Sequence, residues 1–343
     1  MLAYLQNINS VLLWGTMSNQ PSFHKLLVAV DFSPASFAAI QQALWVATQT
    51  GATITLVNVL PNMRKSMQSA SIDAKLDLLY GEGSVFHREV LGDAEKRLQQ
   101  IVNNVAHPNL VIKHKVLLGE PITEICRLTQ HGDYDLVFAG AHAMTVWKEL
   151  FVGSTAKKLI HTCPAPVWIV RPEHVGQPAA ILTATDFSPV SRIAIEVASN
   201  LAQLAHAQLH TMHVVDSADV PEDILSKVPE GKSLREEIYE ATKNRLIEFL
   251  APLGAQVDIK PHLTWGTPWK EINRFANHLK ADLLVVGSIG RSGIAGMLVG
   301  NTAEQLLTCC QSSLLTVKPE NFVCPIPLLE MSTEISGQTA FIG

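Results

Sequence analysis

Cysteine is scarce in this chain and never occurs in a metal-binding spacing. Five are present in 343 residues: Cys126, Cys163, Cys309, Cys310 and Cys324. None forms Cys-x-x-Cys, and an odd count is no secreted disulfide framework, so a reducing cytoplasm is the expected location. The thirteen histidines include no His-Glu-x-x-His. Their tightest group is His206, His210 and His213, with His206 ending a helical pattern and the other two at odd spacing in a strand. Those two face opposite sides, so no metal site is expected there. Lys and Arg number 26 against 31 Asp and Glu, a net charge of −5 without a dense basic block. That argues against a nucleic-acid surface. No run reaches membrane-spanning length free of charges. Residues 1–22 lack Lys, Arg, Asp and Glu and so lack the basic start of a signal peptide.

What is present is a duplication. Val30-Asp31-Phe32-Ser33-Pro34-Ala35-Ser36 recurs as Thr185-Asp186-Phe187-Ser188-Pro189-Val190-Ser191, at an offset of 155 (186 − 31). Gly119-Glu120-Pro121 recurs as Gly266-Thr267-Pro268, at an offset of 147 (266 − 119). Gly140, Gly153 and Pro172 match Gly287, Gly300 and Pro319 at that second offset. The second copy is therefore eight residues shorter (155 − 147), opposite residues 63–84 of the first. Strand patterns lie at 26–30, 54–59, 110–117, 136–140 and 167–170, and again near 181–185, 208–214, 257–263, 283–287 and 314–317. In the first copy, helical patterns lie between them near 35–49, 72–104, 121–131 and 154–162. This alternation predicts an α/β fold in which each copy is a parallel sheet with helices on both faces. The expected division is an extension at 1–22, a first domain at 23–172 and a linker at 173–179. A second domain at 180–319 and a tail at 320–343 follow.

One stretch organises the second copy. Residues 281–286, ending in Val286, read as a buried strand. They lead into Gly287-Ser288-Ile289-Gly290-Arg291-Ser292-Gly293, and the apolar run after it ends at Gly300-Asn301-Thr302, where a helical pattern opens. Glycines let a backbone approach phosphate, and free N–H groups at a helix start point at it. Gly300-Asn301-Thr302 has no P-loop lysine. The loop also follows a late strand, unlike a dinucleotide fingerprint. Ser188-Pro189 and Ser33-Pro34 read as helix starts, which puts Asp186 and Asp31 at the carboxyl ends of the first strands.

The spacing Gly, two residues, Gly, nine residues, Gly, with the strand before it, resembles the nucleotide loop of the universal stress protein family. Gly300-Asn301-Thr302-Ala303-Glu304-Gln305 and Cys163-Pro164-Ala165-Pro166-Val167-Trp168 are most similar to its tandem E-type subgroup. Asn301 stands where the family usually has Ser or Thr. The resemblance implies two tandem open five-stranded sheets of adenine nucleotide alpha hydrolase type, strand order 3-2-1-4-5. It implies a cytoplasmic stress-response protein that binds ATP, alone or with Mg²⁺, with slow hydrolysis at most. It also implies an internal pseudo-dimer that meets through the fifth strands, with protein partners unspecified. The site it implies comprises Ala184, Thr185, Asp186 and Val214 at the nucleoside end. Val286, Gly287, Gly290, Arg291, Gly300, Asn301 and Thr302 make up the phosphate end. An adenylate-forming enzyme would carry Ser-Gly-Gly after the first strand, where both copies have Asp-Phe-Ser-Pro. A nucleotide-free interaction scaffold is the other alternative.

In the first copy the loop is Gly140-Ala141-His142-Ala143-Met144, with Trp147 and Phe151 after it. A methyl at Ala143 stands where the backbone should touch phosphate. One nucleotide per chain, in the second copy, is the expectation.

Overall fold

The computed structural model describes residues 23–61, 85–105, 107–141, 154–216, 234–253, 257–288 and 300–328. Gly290, Arg291, Ala143, Met144, Trp147 and Phe151 lie outside the described residues, as do 1–22 and 329–343.

The first half runs β1 (Lys25–Ala29), α1 (Pro34–Thr50), β2 (Thr53–Leu60), α2 (Val85–Val105), β3 (Ile112–Leu118), α3 (Pro121–Gly132), β4 (Leu136–Gly140), α4 (Ser154–Thr162) and β5 (Val167–Val170). The second half runs β6 (Ala180–Ala184), α5 (Pro189–Ala205), β7 (Gln208–Val215), α6 (Leu234–Leu250), β8 (Ile259–Trp265), α7 (Pro268–Leu279), β9 (Leu283–Gly287), α8 (Asn301–Cys309) and β10 (Ser313–Val317). The local chemistry explains the boundaries. Ser33 and Ser188 cap α1 and α5, accepting from Ser36 N and Ser191 N, with proline following as the first helical residue. Gly51, at φ 74, ends α1, and His206, at φ 49, ends α5.

The two five-stranded sheets that the resemblance implies are both present, each with its expected strand order, and they are continuous across the fifth strands. All ten strands form a single sheet in the order β3-β2-β1-β4-β5-β10-β9-β6-β7-β8. Each half keeps its internal order, the first strand flanked by the second and fourth. The halves join where β5 and β10 pair antiparallel, at the fifth strands. Trp168 faces Leu315, and 315 − 168 is the repeat offset, 147. A residue therefore pairs with its own counterpart, which places a pseudo-two-fold axis through that pair. The same axis relates Lys157 and Glu304, which meet at 2.6 Å between α4 and α8. That pair is exposed and adds little stability. The physical reason for the merger is that an open edge strand presents unpaired N–H and C=O groups. Pairing two such edges satisfies both.

Successive strand residues feed opposite faces. Leu26 and Val28 join the core under α1, α2 and α5, whereas Leu27 joins the core under α3, α4, α7 and α8. The segment 173–179 is pinned rather than loose. Gly176 N donates to Gln42 Oε1 at 2.9 Å and its carbonyl accepts from Gln42 Nε2 at 3.0 Å.

Candidate functional site

In an open parallel sheet the crevice for a ligand forms beyond the strand carboxyl ends, where the crossover direction reverses. In the second half that point lies between β6 and β9. Thr183 is opposite Val285, so Thr185 comes level with Gly287 and Asp186 with Ser288. On the other side Ala184 is opposite Met212, which brings Asp186 level with Val214.

The turn after β6 is built from side chains. Thr185 N donates to the Met212 carbonyl at 2.9 Å, extending the ladder by one residue. Phe187 then takes φ 64, in the left-handed region. Its N–H donates to Thr185 Oγ1 at 3.0 Å, and that hydroxyl lies 2.9 Å from Ser191 Oγ. Asp186 Oδ1 accepts from Ser188 N at 3.0 Å and from Ser188 Oγ at 2.5 Å. One carboxylate oxygen is therefore committed to shaping the turn. His213 Nδ1 lies 2.7 Å from the Thr185 carbonyl oxygen, which can only accept, so Nδ1 carries the hydrogen. The Phe187 ring rests on the His213 ring at 4.3 Å, with the Arg245 guanidinium 4.3 Å from the Phe187 ring centre.

Across the crevice, Ser288 N donates to the Val317 carbonyl at 2.8 Å and Gly300 N donates to the Ser288 carbonyl at 2.6 Å. Those two bonds hold residues 288 and 300 together at the base of the loop. Gly300 caps α8 with an extended backbone, φ −77 and ψ 151, and among the described residues no side chain bonds the first-turn amides. Ser288 is buried, and its hydroxyl has no hydrogen-bond partner among the described residues.

Of the residues expected at the site, Ala184, Thr185, Asp186, Val214, Val286, Gly287, Gly300, Asn301 and Thr302 cluster at the carboxyl ends of β6, β7 and β9 and the head of α8. Val214 and Val286 point into the core, leaving only their backbone for a ligand. Gly290 and Arg291 lie outside the described residues. The sequence reading missed His213, Ser191 and Ser288. Ser191 had a signal, since Ser36 repeats it, whereas His213 replaces Asn58 of the first half and no motif marks it. His210 and His213 do face opposite sides: His210 stacks on His262 and His213 on Phe187. Among the described residues there is no group of His, Cys, Asp or Glu suited to a metal ion, and no helix long and apolar enough to cross a membrane.

The universal stress protein family model matches residues 22–171 and 179–318. Universal stress protein E of Escherichia coli strain K12 is 24% identical over 317 residues, covering 89% of this chain and 97% of that one. Universal stress protein E of Photorhabdus laumondii is 24% identical over 320 residues, covering 89% and 98%. Among solved structures, a universal stress protein from Archaeoglobus fulgidus DSM 4304 superposes with a TM-score of 0.62 at 20% identity, covering 87% of this chain and 99% of that one. That likeness speaks to the fold alone. With both halves matched by the family model across most of their length, the chain belongs to the universal stress protein family.

Proposed function

We propose that this protein is an ATP-binding regulatory module of the stress response, with one nucleotide in the crevice between β6 and β9. The observation that carries the reading is the head of α8. Among the described residues its first-turn amides have no capping side chain and the buried Ser288 hydroxyl has no partner, and Gly300 N ties the helix head to the Ser288 carbonyl. Phosphate oxygens are acceptors only, and the positive end of a helix dipole attracts them. Gly287, Gly300, Asn301 and Thr302 would line the phosphates, alone or with Mg²⁺, joined by Gly290 and Arg291 from the loop. Ala184, Thr185, Asp186 and the Val214 backbone would line the nucleoside. The first half, with Ala143 in its loop, holds the fold and binds no nucleotide. The domains divide at 173–179, and the module works in the cytoplasm through protein partners. No residue of the crevice is assigned a catalytic role.

The test is to purify the chain natively, denature it and identify what is released. One adenine nucleotide per chain, rebound on titration, is the expected result. A chain that releases none and takes up none on titration would instead be an interaction scaffold.

A further inference from the structure

Three of the five cysteines meet on the first half. Cys126 lies on α3, Cys163 follows the last turn of α4, and Cys324 comes from the segment after β10. Cys126 and Cys324 converge on one residue, Thr162, next to Cys163 in the chain. Cys324 Sγ donates to the Thr162 carbonyl at 3.2 Å, and Cys126 Sγ is 3.5 Å from Thr162 Oγ1. Cys163 Sγ donates to Thr129 Oγ1 at 3.9 Å. Cys126 and Cys163 are fully buried, whereas Cys324 is half-buried, so solvent reaches the trio at Cys324.

The segment that carries Cys324 is held in place. Along it Phe322, Cys324 and Ile326 turn inward while Asn321, Val323 and Pro325 turn out. Buried Lys318 donates to the Ile160 and His161 carbonyls at the end of α4 and stands 4.3 Å over the Phe322 ring. Its ammonium acts electrostatically on all three sulfurs.

The duplication supplies an internal control. Cys163 corresponds to Cys310 (310 − 163 = 147), and Lys318 to Arg171 (318 − 171 = 147). Arg171 acts on Cys310 as Lys318 acts on Cys163. A buried thiol beside a buried cation therefore belongs to both halves. Cys126 corresponds to Asn273, and the same offset from Cys324 leads to Gln177. The two further thiols are additions on one side, and both reach Thr162.

We propose that Cys324 and Cys126 are a modification site, oxidised by peroxides to a disulfide that fastens the segment after β10 to α3. The Cys324 sulfur attacks one peroxide oxygen and the O–O bond breaks. A sulfenic acid forms, and the second oxygen leaves as water with the thiol proton (from hydrogen peroxide). The Cys126 sulfur then attacks the Cys324 sulfur. The S–S bond forms, the S–O bond breaks, and the hydroxyl leaves as water with the Cys126 proton. The two thiols together lose two electrons and two protons, and one hydrogen peroxide becomes two waters.

The resting electrostatics set the speed. The hydrogen bond to Cys163, with burial adding to it, pushes Cys126 up to about 12, and the contact with Cys126 likewise raises Cys324. Burial works to raise Cys163, but its hydrogen-bonding surroundings, Cys126 first and then the Ala165 N–H, outweigh it and hold that thiol below its usual value. The reacting pair is thus protonated at neutral pH. Oxidation is slow there and accelerates as pH rises.

The experiment treats the full chain with hydrogen peroxide, alkylates remaining thiols and maps peptides by mass spectrometry. A Cys126–Cys324 cross-link is expected, forming faster at pH 9 than at pH 7, and loss of free Cys126 thiol should fall at least tenfold in Cys324→Ser. Cys309, also half-buried and also raised by burial, is the reference thiol outside the trio. A Cys126–Cys163 link would overturn the assignment. So would sulfinic or sulfonic acid at Cys324 with Cys126 still alkylated, or oxidation confined to Cys309. Cys324 is only half-buried, so its serine variant should fold, and an unchanged circular dichroism spectrum verifies this.

Discussion

Each half carries Asp-Phe-Ser-Pro after its first strand, with the same backbone in different surroundings. Phe32 takes φ 62 and Phe187 φ 64. A left-handed aromatic residue costs on the order of 1–3 kcal/mol. Both copies offset it the same way, with a guanidinium over the ring: Arg97 at 4.0 Å from Phe32 and Arg245 at 4.3 Å from Phe187. Both serines cap their helices. The surroundings then diverge. Asp31 is exposed and accepts from Ser33 N at 3.0 Å, whereas Asp186 is half-buried and accepts from both Ser188 N and Ser188 Oγ. Val30 becomes Thr185, and Ala141 becomes Ser288. Asn58 donates to the Val30 carbonyl at 2.7 Å, where His213 serves Thr185. The strained turn is a property of the fold and is copied with it. The hydroxyls are added in one half: that of Thr185 is engaged by Phe187 N and Ser191 Oγ, and that of Ser288 has no partner among the described residues.

The largest effect is expected where the halves are equivalent. Trp168 is buried and stacked on Phe138 at 5.4 Å, and its counterpart Leu315 is buried opposite it. Trp168→Ala should cost about 3–5 kcal/mol and Leu315→Ala about 2–5 kcal/mol. Because the pair lies on the pseudo-dyad, each change should destabilise both halves together. Calorimetry should show one shifted transition. Two separated transitions, only one of them shifted, would show that the ten-stranded sheet does not unfold as a unit.

The next contrast is the nucleotide. Gly290→Val puts a branched side chain into the loop proposed for phosphate. It should weaken ATP binding at least tenfold, or about 1.4 kcal/mol. Ala143→Gly should restore little to the first half, because Met144 and Trp147 remain. Asp186→Ala removes a half-buried carboxylate and should weaken binding more than Asp31→Ala does. Calorimetric titration of the four variants beside the parent decides the matter. Two equivalent sites in the parent would end the proposed asymmetry.

Much of this fold was legible because the chain states it twice. The offsets of 155 and 147 align β1 and β2 with β6 and β7, and β3 and β4 with β8 and β9. Ser33-Pro34 and Ser188-Pro189 marked the helix starts because capping is local chemistry. The merger of ten strands was less legible. The resemblance pointed to the fifth strands as the meeting edge, but that β5 and β10 hydrogen-bond into one sheet depends on two edges coming into register, which no local pattern encodes. At the site, Thr185, Asp186 and Gly300 could be named from motif position. The commitment of Asp186 Oδ1 to Ser188, and of His213 to a carbonyl, could not, since both follow from a left-handed Phe187 that no pattern announces. Cys309 and Cys310, adjacent in sequence, part company at the end of α8. Cys310 is buried but extended as the C-cap of α8, and Cys309 is half-buried.

The smallest effect should separate the halves by pH. His210 Nδ1 lies 2.8 Å from His262 Nε2, the rings stack at 5.0 Å, and Phe275 covers both. Burial holds His210 below the usual histidine value, with the charges of His262 and Lys260 adding to it. Burial and Lys260 do the same to His262. The first half has Thr55 and Lys115 at these positions (210 − 155, 262 − 147), and Thr55 Oγ1 accepts from Tyr134 at 3.0 Å. Above about pH 6.5 both histidines are neutral whether folded or not, so they cost nothing. As pH falls below that, the unfolded chain takes up protons first, and it alone gains the free energy of binding them. Stability therefore falls with pH from about 6.5 down through the lower folded values. His161 in the first half is also held down by burial, partly offset by Glu304, so its slope has the same sign. Urea midpoints at pH 7.5 and 5.5 should converge in His210→Thr/His262→Lys more than in His161→Asn. Equal convergence in the two variants would mean that the stacked pair is not what makes the second half the more acid-sensitive.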